Sequence, residues 1–479
     1  MTPKSLITAD ESLPALERLI ASAQTELLMS FPALDPNAPL CEQALRERGL
    51  ETWADLIALV ARRGVRIQML IADFDPQFAS ASHRKAWAAA SGFADVAQGD
   101  TQILCAPHTH RAGAFWNLFM GRSLRRAIRA IKADDSTALT PVQRRVLSTG
   151  PELRPALVRQ KFAIADGHSS VVGGVDIEHH QTMPDDDVSA PTELRHDLSV
   201  LIEDADYCGA LRSHFAECWN AAIDAGLKSL AAHPTRFDTA KKPQSRADLR
   251  LVRTMSQPAK GFAQLGPKPV VRDHETNVLR IVEQARRYLY IETQFLRHGP
   301  VIDALCAAAA AVPELQVVIV LPAASAQIHP ASEAGWNTRH GHALQVKAVD
   351  KLRASFGKRI AFVSPKHTAT HQESKPSIGS GVLICDDRLA MVGSFNLNGR
   401  SMLWDSEVSV LVKDPGFAAD LLSRLAAKWI GDTAYDPRLA VTWDTAAGLN
   451  DPGATIAPYA HKDAKQLARK ARLLPDALF

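Results

Sequence analysis

Residues 382–397 read Val-Leu-Ile-Cys-Asp-Asp-Arg-Leu-Ala-Met-Val-Gly-Ser-Phe-Asn-Leu, and residues 162–177 read Phe-Ala-Ile-Ala-Asp-Gly-His-Ser-Ser-Val-Val-Gly-Gly-Val-Asp-Ile. In both stretches an apolar run ends at an aspartate, and a glycine follows seven residues later, after a second apolar pair. Two short apolar runs joined by Asp-Gly or Asp-Asp predict a β-hairpin with a tight turn. The chain therefore contains the same predicted hairpin twice.

The repeat continues on both sides of the hairpin. Upstream, residues 13–30 and 278–295 each predict a helix that runs into an apolar strand. Downstream, the match runs at a constant offset of 210, and the paired positions are Asp197 and Glu407, Asp204 and Asp414, Leu211 and Leu421, and Trp219 and Trp429. Helices that alternate with almost wholly apolar strands are typical of an α/β sheet buried on both faces. We therefore expect a duplicated α/β unit.

The length of the chain agrees with two lobes. A chain of 479 residues is too long for one ordinary core, since domains usually contain about 100–200 residues. The repeats predict a first lobe at 1–226 and a second lobe at 269–434, joined by a connection at 227–268. Residues 435–479 form a C-terminal extension to which the sequence assigns no role.

Composition excludes several classes of protein. With 55 Lys and Arg against 52 Asp and Glu, no large charge excess favours nucleic acid as a partner. The six cysteines include no Cys-x-x-Cys pair, which argues against a disulfide scaffold or a zinc site and favours a reducing compartment. The first residues contain no apolar signal core, and the longest uncharged run, 315–332, predicts a strand and a loop. A cytoplasmic protein is expected, with signal-independent secretion left open.

The repeated blocks resemble the duplicated signature of the phospholipase D superfamily, written His-x-Lys-x4-Asp-x6-Gly-Gly/Ser, and within it bacterial phospholipase D and cardiolipin synthase-like proteins. Three further blocks carry the resemblance, namely residues 195–197, 289–295 and 393–407. The resemblance implies an α/β fold with two tandem phospholipase D-like lobes. Each lobe would hold a mixed β-sheet flanked by helices, and a pseudo-two-fold axis would relate the lobes across one shared cleft.

The resemblance also implies a mechanism. One histidine attacks phosphorus to form a phosphohistidine, and the histidine of the other copy protonates the leaving alkoxide. Two lysines, with Asn and Ser groups, hold the phosphate oxygens as charge develops. A carboxylate orients each histidine, and the matching positions are Asp197 and Glu407. The family needs no metal and no cofactor.

This sequence departs from the signature at the positions that carry its chemistry. The first histidine position holds Arg159, although its lysine remains as Lys161. The second histidine and lysine positions hold Gly379 and Gly381. An arginine stays protonated and is no nucleophile, but it can bind a phosphate through two hydrogen bonds. The phosphohistidine mechanism is therefore expected to be disabled.

The remaining signature positions form two candidate sets. The retained catalytic positions are Lys161, Asp166, Asp386, Asp197 and Glu407. The predicted phosphate-binding positions are Arg159, Lys161, Gly174, Ser394 and Asn396.

Three interpretations of the function stay open. The chain can be a phospholipase D-type phosphodiesterase or phosphatidyltransferase that acts on phospholipid head groups. It can be an inactive relative that binds a phospholipid or another phosphodiester. The Arg and Gly positions can also be changes, natural or introduced, in an otherwise active enzyme. A nuclease is disfavoured, because the net charge is only +3 and the sequence shows no extended basic and aromatic groove.

Several other polar groups deserve a structural test. His371 and Lys375 could replace the missing second pair only if their loop folds back. His108 and His110 have a spacing that could ligate a metal but lack a third ligand, and His168 is expected at the exposed end of its hairpin. Residues 339–342, Arg-His-Gly-His, resemble a family loop near the site, where either substrate contact or plain loop structure is expected. Residues 116–132 predict one basic amphipathic helix, whose alternatives are an ordinary core-facing helix and a contact with an anionic lipid surface.

Overall fold

The computed structural model describes residues 2–107, 110–133, 139–178, 195–238, 246–323, 336–366, 377–431, 435–448 and 453–460. The elements of the first half are β1 (Lys4–Leu6), α1 (Ala9–Ser22), β2 (Glu26–Phe31), α2 (Gln43–Arg46), α3 (Trp53–Arg62), β3 (Arg66–Asp73), α4 (Ser80–Asp95), β4 (Thr101–Pro107), α5 (Ala114–Phe119), α6 (Gly121–Ala133), α7 (Pro141–Thr149), β5 (Phe162–Ala165), β6 (Ser169–Gly173), β7 (Arg195–His196), β8 (Ser199–Glu203) and α8 (Ala205–Asp224).

The second half begins with two strands that precede its first helix. Its elements are β9 (Leu249–Gln257), β10 (Lys268–Arg272), α9 (Asp273–Gln284), β11 (Tyr288–Glu292), α10 (Gly299–Ala311), β12 (Gln316–Val320), α11 (Trp336–Phe356), a 3-10 turn (Gly357–Arg359), β13 (Ile360–Pro365), β14 (Ser377–Ile378), β15 (Gly381–Cys385), β16 (Leu389–Gly393), α12 (Gly399–Leu403), β17 (Glu407–Val412), α13 (Pro415–Ile430), α14 (Ala440–Gly448) and β18 (Ile456–Pro458).

These strands form two large mixed sheets. The first has the order β1-β8-β6-β5-β2-β3-β4, and the second has the order β10-β9-β17-β16-β15-β11-β12-β13-β18. In each sheet three parallel strands, β2-β3-β4 or β11-β12-β13, continue into an antiparallel meander that contains the repeated hairpin. Two mixed sheets flanked by helices confirm the predicted fold class. Duplication of one unit would explain why the pairing recurs.

The alternation of side chains along the hairpin strands explains how the sheets pack. Phe162 and Ile164 of β5 point into a core that both sheets share with α8 and α13, whereas Ala163 points to the opposite face. In β15, Val382 and Ile384 enter the same shared core. Successive residues of a strand point to opposite faces, so a strand between two packed layers must be apolar at every position. The outer faces are covered by α1, α3 and α4 in one half and by α9, α10 and α11 in the other.

Both predicted hairpin turns are present. Asp166, Asp386 and Asp387 have positive φ values of 50°, 54° and 51°, and Gly167 has a φ of 70°. Two consecutive left-handed residues make the turn that suits the twist of a two-residue hairpin, and aspartate tolerates that conformation better than most residues. The repeated Asp204 and Asp414 fulfil a second local role, because each caps the helix that follows its strand.

The segments outside the predicted lobes also contribute to the second sheet. β9 lies within the predicted connection 227–268, and it pairs with β17. β18 lies within the predicted extension 435–479, and it pairs with β13 at the other edge. Within the described ranges, no helix has both the length and the apolar character needed to cross a membrane.

Candidate functional site

The two signature motifs meet the carboxylate strands of the opposite half. Val158 forms a parallel bridge with Ser406, and the backbone N–H of Arg159 donates to the carbonyl of Ser406 at 2.9 Å. In the same way, β14 pairs in parallel with β7, and the N–H of Gly379 donates to the carbonyl of His196 at 3.1 Å. Each motif therefore begins beside the acidic residue of the other copy, so the halves of the site are assembled crosswise.

Arg159 occupies the position of the first histidine and faces Glu407. Its Nε lies 3.7 Å from Glu407 Oε1, and about a third of its side chain is exposed, 32% against 0% for Glu407. A guanidinium at this distance from a buried carboxylate is attracted to it but leaves its other N–H groups available. Among the described residues of the two motifs, Arg159 is thus the cation whose side chain is partly exposed to solvent.

Glu407 is held by two hydroxyl groups in a dry environment. Ser394 Oγ donates to Glu407 Oε2 at 2.5 Å, and Ser401 Oγ donates to Oε1 at 2.7 Å. Burial raises the pKa of Glu407 to about 7, although Arg159 and the two serines oppose the shift and Asp405 adds to it. The charge of this carboxyl therefore changes near neutral pH, and with it the net charge beside Arg159.

Lys161, the surviving motif lysine, is buried in an ion pair. Its Nζ donates to the carbonyl of Gly174 at 2.5 Å and to Asp176 Oδ2 at 2.9 Å. Asp176 stands at the position that Asn396 occupies in the second motif. An asparagine would leave the positive charge of a nearby lysine uncompensated, whereas an aspartate compensates that charge. The predicted phosphate-binding lysine thus already has an anionic partner within the protein.

The second motif has no space for a side chain at its lysine position. A Cβ atom added to Gly381 would overlap the carbonyl oxygen of Phe395 and would lie 2.6 Å from Cδ1 of its ring. Gly381 is buried, and Phe395 is fully buried. The Phe395 backbone and ring therefore fill the space into which a lysine side chain would extend.

Gly174 of the first motif packs closely against Ser380 of the second motif. A Cβ at Gly174 would lie 2.6 Å from Cα of Ser380. The Ser380 hydroxyl contacts both the N–H and the carbonyl of Leu198, just as the Ser394 hydroxyl contacts the N–H and the carbonyl of Val408. Ser380 thereby supplies, from the second motif, the hydroxyl that Gly174 lacks.

The other predicted site residues are placed inside the fold. Asp197 is buried between β7 and β8. Asn396 is buried as well, and its Oδ1 accepts a hydrogen bond from the N–H of Gln294 at 3.0 Å. This contact ties the end of the second hairpin to the segment after β11. The side-chain oxygen of Asn396 is therefore already bonded to the backbone of Gln294.

Asp166 and Asp386 lie at the far ends of the hairpins. Asp166 accepts hydrogen bonds from three consecutive backbone N–H groups, those of residues 24–26. Asp386 does the same for residues 286–288. Burial works against ionisation of Asp166, but these amides hold its pKa below the usual value. Both aspartates anchor the hairpin to the neighbouring strand, at the end opposite Arg159 and Gly379.

Sequence reasoning missed a buried acid–base pair next to the site. His196 Nε2 lies 2.9 Å from Glu292 Oε2, which joins β7 of the first half to β11 of the second. Glu292 also accepts from Tyr290 and Trp429, at 2.5 and 2.7 Å. Burial opposes its ionisation, yet His196 and these donors hold the pKa of Glu292 below its usual value. The signal was present, because His196 and Glu292 lie in two blocks that resemble the family, but their contact is not visible in the sequence.

The other histidines that the sequence singled out near the motifs do not join this pair. His168 is at the exposed hairpin turn, and His110 is buried with its Nε2 3.1 Å from the carbonyl of Leu265. His108, His371 and Lys375 lie outside the described residues. In the described ranges, no group of three or more His, Cys, Asp or Glu residues could hold a metal ion.

Two predicted elements need correction. Residues 339–342 belong to the first turns of α11 and are not in a loop; His340 and His342 are buried there because this end of the helix packs into the protein. The single helix predicted over 116–132 is two helices, α5 and α6, which separate at Met120 and Gly121. Leu124 and Ile131 of α6 are buried, whereas Leu118 and Phe119 of α5 are exposed.

Comparisons with known proteins agree with this architecture. The family model described as "Cardiolipin synthase, PLD-like domain" matches residues 278–429. Phospholipase D zeta 2 of Arabidopsis thaliana is 26% identical over 247 residues, which cover 43% of this chain and 22% of that protein. Human phospholipase D1 is 25% identical over 283 residues, which cover 48% of this chain and 25% of that protein. The match thus spans about a quarter of the length of these curated relatives.

A solved structure shows the same fold over most of the chain. The crystal structure of phosphatidylserine synthase from Haemophilus influenzae Rd KW20 aligns with a TM-score of 0.55 and 12% sequence identity, covering 88% of this chain and 84% of that one. The repeated hairpins and the crosswise motifs agree with a family match in the second half and with a shared fold over most of the chain. Residues 278–429 are thus similar to PLD-like domains, and most of the chain shares the fold of phosphatidylserine synthase.

Proposed function

We propose that this chain is a phospholipase D-like protein that binds a phosphodiester, such as a phospholipid head group, without turning it over by a phosphohistidine. The observation that carries the proposal is the packing of Phe395 against Gly381, because a position filled by the fold cannot hold the second motif lysine. With Arg159 and Gly379 at the histidine positions, the nucleophile and the general acid are both missing. Loss of a nucleophile commonly lowers turnover by several orders of magnitude.

Binding is assigned to Arg159. Its guanidinium is partly exposed and presents planar donors that suit two phosphate oxygens. Near neutral pH, Glu407 shifts toward its neutral form, which leaves the arginine charge less compensated. Lys161 contributes little, because Asp176 already neutralises it. The expected affinity is therefore modest and depends on pH.

The test is calorimetric titration with a short-chain, monomeric phosphatidylcholine. We expect binding that Arg159→Gln weakens by about tenfold, the loss expected for a charged hydrogen bond. Arg62→Gln is the matched control, since Arg62 is an exposed arginine outside the site, and it should bind as the parent chain does. Equal binding by all three proteins, or by none, would refute the assignment to Arg159.

A phosphodiesterase that uses another histidine is the second candidate. His196 favours it, because a buried carboxylate orients its Nε2 and its Nδ1 has no hydrogen-bond partner in the described structure. The opposing observation is its burial, with only 6% of the residue exposed. Phosphate transfer to His196 requires access for substrate. His196→Gln would abolish turnover under this alternative and would have no effect on turnover under the main proposal.

A further inference from the structure

A cluster of exposed aromatic side chains covers the surface of α5. Phe115 packs 5.4 Å from Trp116 and 6.2 Å from Phe262, and Trp116 packs 5.6 Å from Phe119 (distances between ring centroids). With Leu118, which is 79% exposed, these residues form what we call the aromatic patch. Of the nine large hydrophobic side chains that the described part of the chain exposes, four belong to this patch, namely Phe115, Leu118, Phe119 and Phe262. Such clustering marks an interaction surface, whereas scattered exposed side chains do not.

The patch is built from two chain segments that hold each other in place. The N–H of Gly113 donates to the carbonyl of Gln264 at 2.7 Å, and the N–H of Phe115 donates to that of Phe262 at 3.1 Å. Trp116 Nε1 donates to the carbonyl of Ala263 at 2.8 Å. Gly113 is required for this approach, because a Cβ there would lie 2.6 Å from the carbonyl carbon of Phe262. The exposed rings are thus presented by a fixed backbone.

A basic groove lies directly beside the patch. It has a volume of about 660 Å³, and its lining includes Arg125, Arg129 and Lys132 of α6 together with Leu124 and Ile128. The three cations are exposed. Residues 111–133 contain six Lys or Arg and no Asp or Glu, although Asp134 and Asp135 follow. The surface therefore combines large apolar side chains with a strong local excess of positive charge.

We propose that the aromatic patch and the basic groove bind the surface of an anionic phospholipid bilayer. Apolar side chains that enter the acyl boundary, beside Arg and Lys at the level of the head groups, are the chemistry by which interfacial helices bind membranes. The local charge favours anionic lipid over a second copy of this chain, whose net charge is +3. The surface does not include Arg159, so this inference goes beyond the proposed phosphodiester site.

The test is sedimentation with lipid vesicles. Vesicles of phosphatidylcholine with phosphatidylglycerol should bind the full chain, and those of phosphatidylcholine alone should bind it far more weakly. Because each cation near an anionic surface contributes about a fivefold effect, the triple variant Arg125→Gln, Arg129→Gln, Lys132→Gln should lose on the order of a hundredfold in binding. The apolar variant Leu118→Ser, Phe119→Ser, Phe262→Ser should lose more than about tenfold.

Matched controls separate these effects from general ones. Arg46→Gln, Arg48→Gln, Arg62→Gln removes three exposed cations outside the groove. Tyr435→Ser, Leu439→Ser, Val441→Ser removes three exposed apolar groups outside the patch. Both controls should bind vesicles as the parent chain does, and added salt should weaken binding in all proteins that retain the groove.

Three outcomes would overturn the inference. One is binding by the groove and patch variants that equals that of their controls. Another is self-association in analytical ultracentrifugation that the apolar variant abolishes, without any vesicle binding, since a second copy would then cover the patch. The third is loss of vesicle binding in Arg159→Gln alone, which would place the lipid contact in the motif site and leave the proposed function intact.

Discussion

The ammonium group of Lys161 lies 2.9 Å from Asp176 Oδ2, so the remaining lysine of the two signature motifs is paired with an acid of its own motif. The side chains are almost entirely buried, at 6% and 8% exposure. Breaking one partner of a buried pair leaves a charge without compensation, which costs stability but makes that charge available to a ligand. In the second motif the equivalent of Asp176 is Asn396, which carries no charge.

Replacing Asp176 should therefore change affinity and stability in opposite directions. Asp176→Asn is expected to raise the affinity for a short-chain phosphatidylcholine on the order of tenfold, since a charged donor becomes available, and to lower the free energy of unfolding. Calorimetric titration and urea unfolding measure the two effects. The control Asp303→Asn removes an exposed ion pair with Lys351, and it should leave both quantities nearly unchanged. Unchanged affinity in Asp176→Asn would mean that Lys161 does not face the ligand.

The packing at Gly381 predicts a large cost for the smallest side chain. Gly381→Ala places a methyl group against the Phe395 backbone, and we expect a loss of about 1–3 kcal/mol in the free energy of unfolding. Gly299→Ala is the matched control, because a Cβ at that exposed glycine meets no atom within 4 Å. Chemical denaturation compares the two variants. If Gly381→Ala were as stable as Gly299→Ala, the lysine position would be merely vacant.

Glu407 should make stability depend on pH. Its pKa in the folded protein is about 7, against 4.5 for an ordinary glutamate. The folded protein therefore binds a proton that the unfolded chain releases, so the free energy of unfolding should fall as pH rises from about 4.5 to about 7 and should level off above that range. The slope is at most about 1.4 kcal/mol per pH unit for one group.

Two variants assign this slope to residues. Glu407→Gln removes the titration and should flatten the dependence in urea unfolding series across that range. Burial also raises the pKa of Glu17 to about 7, so Glu17 makes its own contribution to the pH dependence of stability. Glu17→Gln should therefore leave the contribution of Glu407 unchanged. Parallel curves for the parent chain and Glu407→Gln would contradict the assignment.

The hydroxyl of Ser380 should contribute more to the free energy of unfolding than an ordinary surface hydroxyl does. Ser380→Ala leaves the buried N–H of Leu198 without its partner, and an unsatisfied buried amide costs about 1–3 kcal/mol. Ser148→Ala, which removes an exposed hydroxyl bonded to the carbonyl of Arg145, should change stability by less than about 0.5 kcal/mol. Thermal or urea unfolding compares them. Equal losses would show that the contact between the motifs does not stabilise the fold.

The fold could be predicted from sequence because its signals are local. Each hairpin combines two apolar strands with a turn of left-handed residues, and Asp204 and Asp414 cap helices within three residues of their own positions. The sequence predicts one helix over 116–132 because the apolar spacing continues across Met120, where α5 has ended; α5 has no buried residue, whereas Leu124 and Ile131 of α6 are buried. Periodicity reports which residues are apolar, but it does not report which of them the neighbouring segments cover.

The candidate site could be proposed from the sequence, but the contacts among its residues could not. Counting positions identified Arg159, Gly379 and Gly381, because the motif has fixed spacing. The pair of His196 and Glu292 joins residues that are 96 positions apart, and Phe395 meets Gly381 across a strand pair. Such contacts depend on how the two halves pack together, and no local pattern encodes them. Lys161 is the clearest case, because the sequence retains the motif lysine, whereas in the structure its ammonium group is paired with Asp176.

The absence of phosphohistidine chemistry is the central claim, and turnover tests it most directly. The measurement is head-group release from phosphatidylcholine, together with phosphatidyl transfer to an added primary alcohol, followed by a search for phosphate on histidine after rapid quenching. The account predicts turnover no greater than that of Arg159→Gln and no phosphohistidine. Robust turnover by the parent chain, with phosphate trapped on His196 or another histidine, would contradict it.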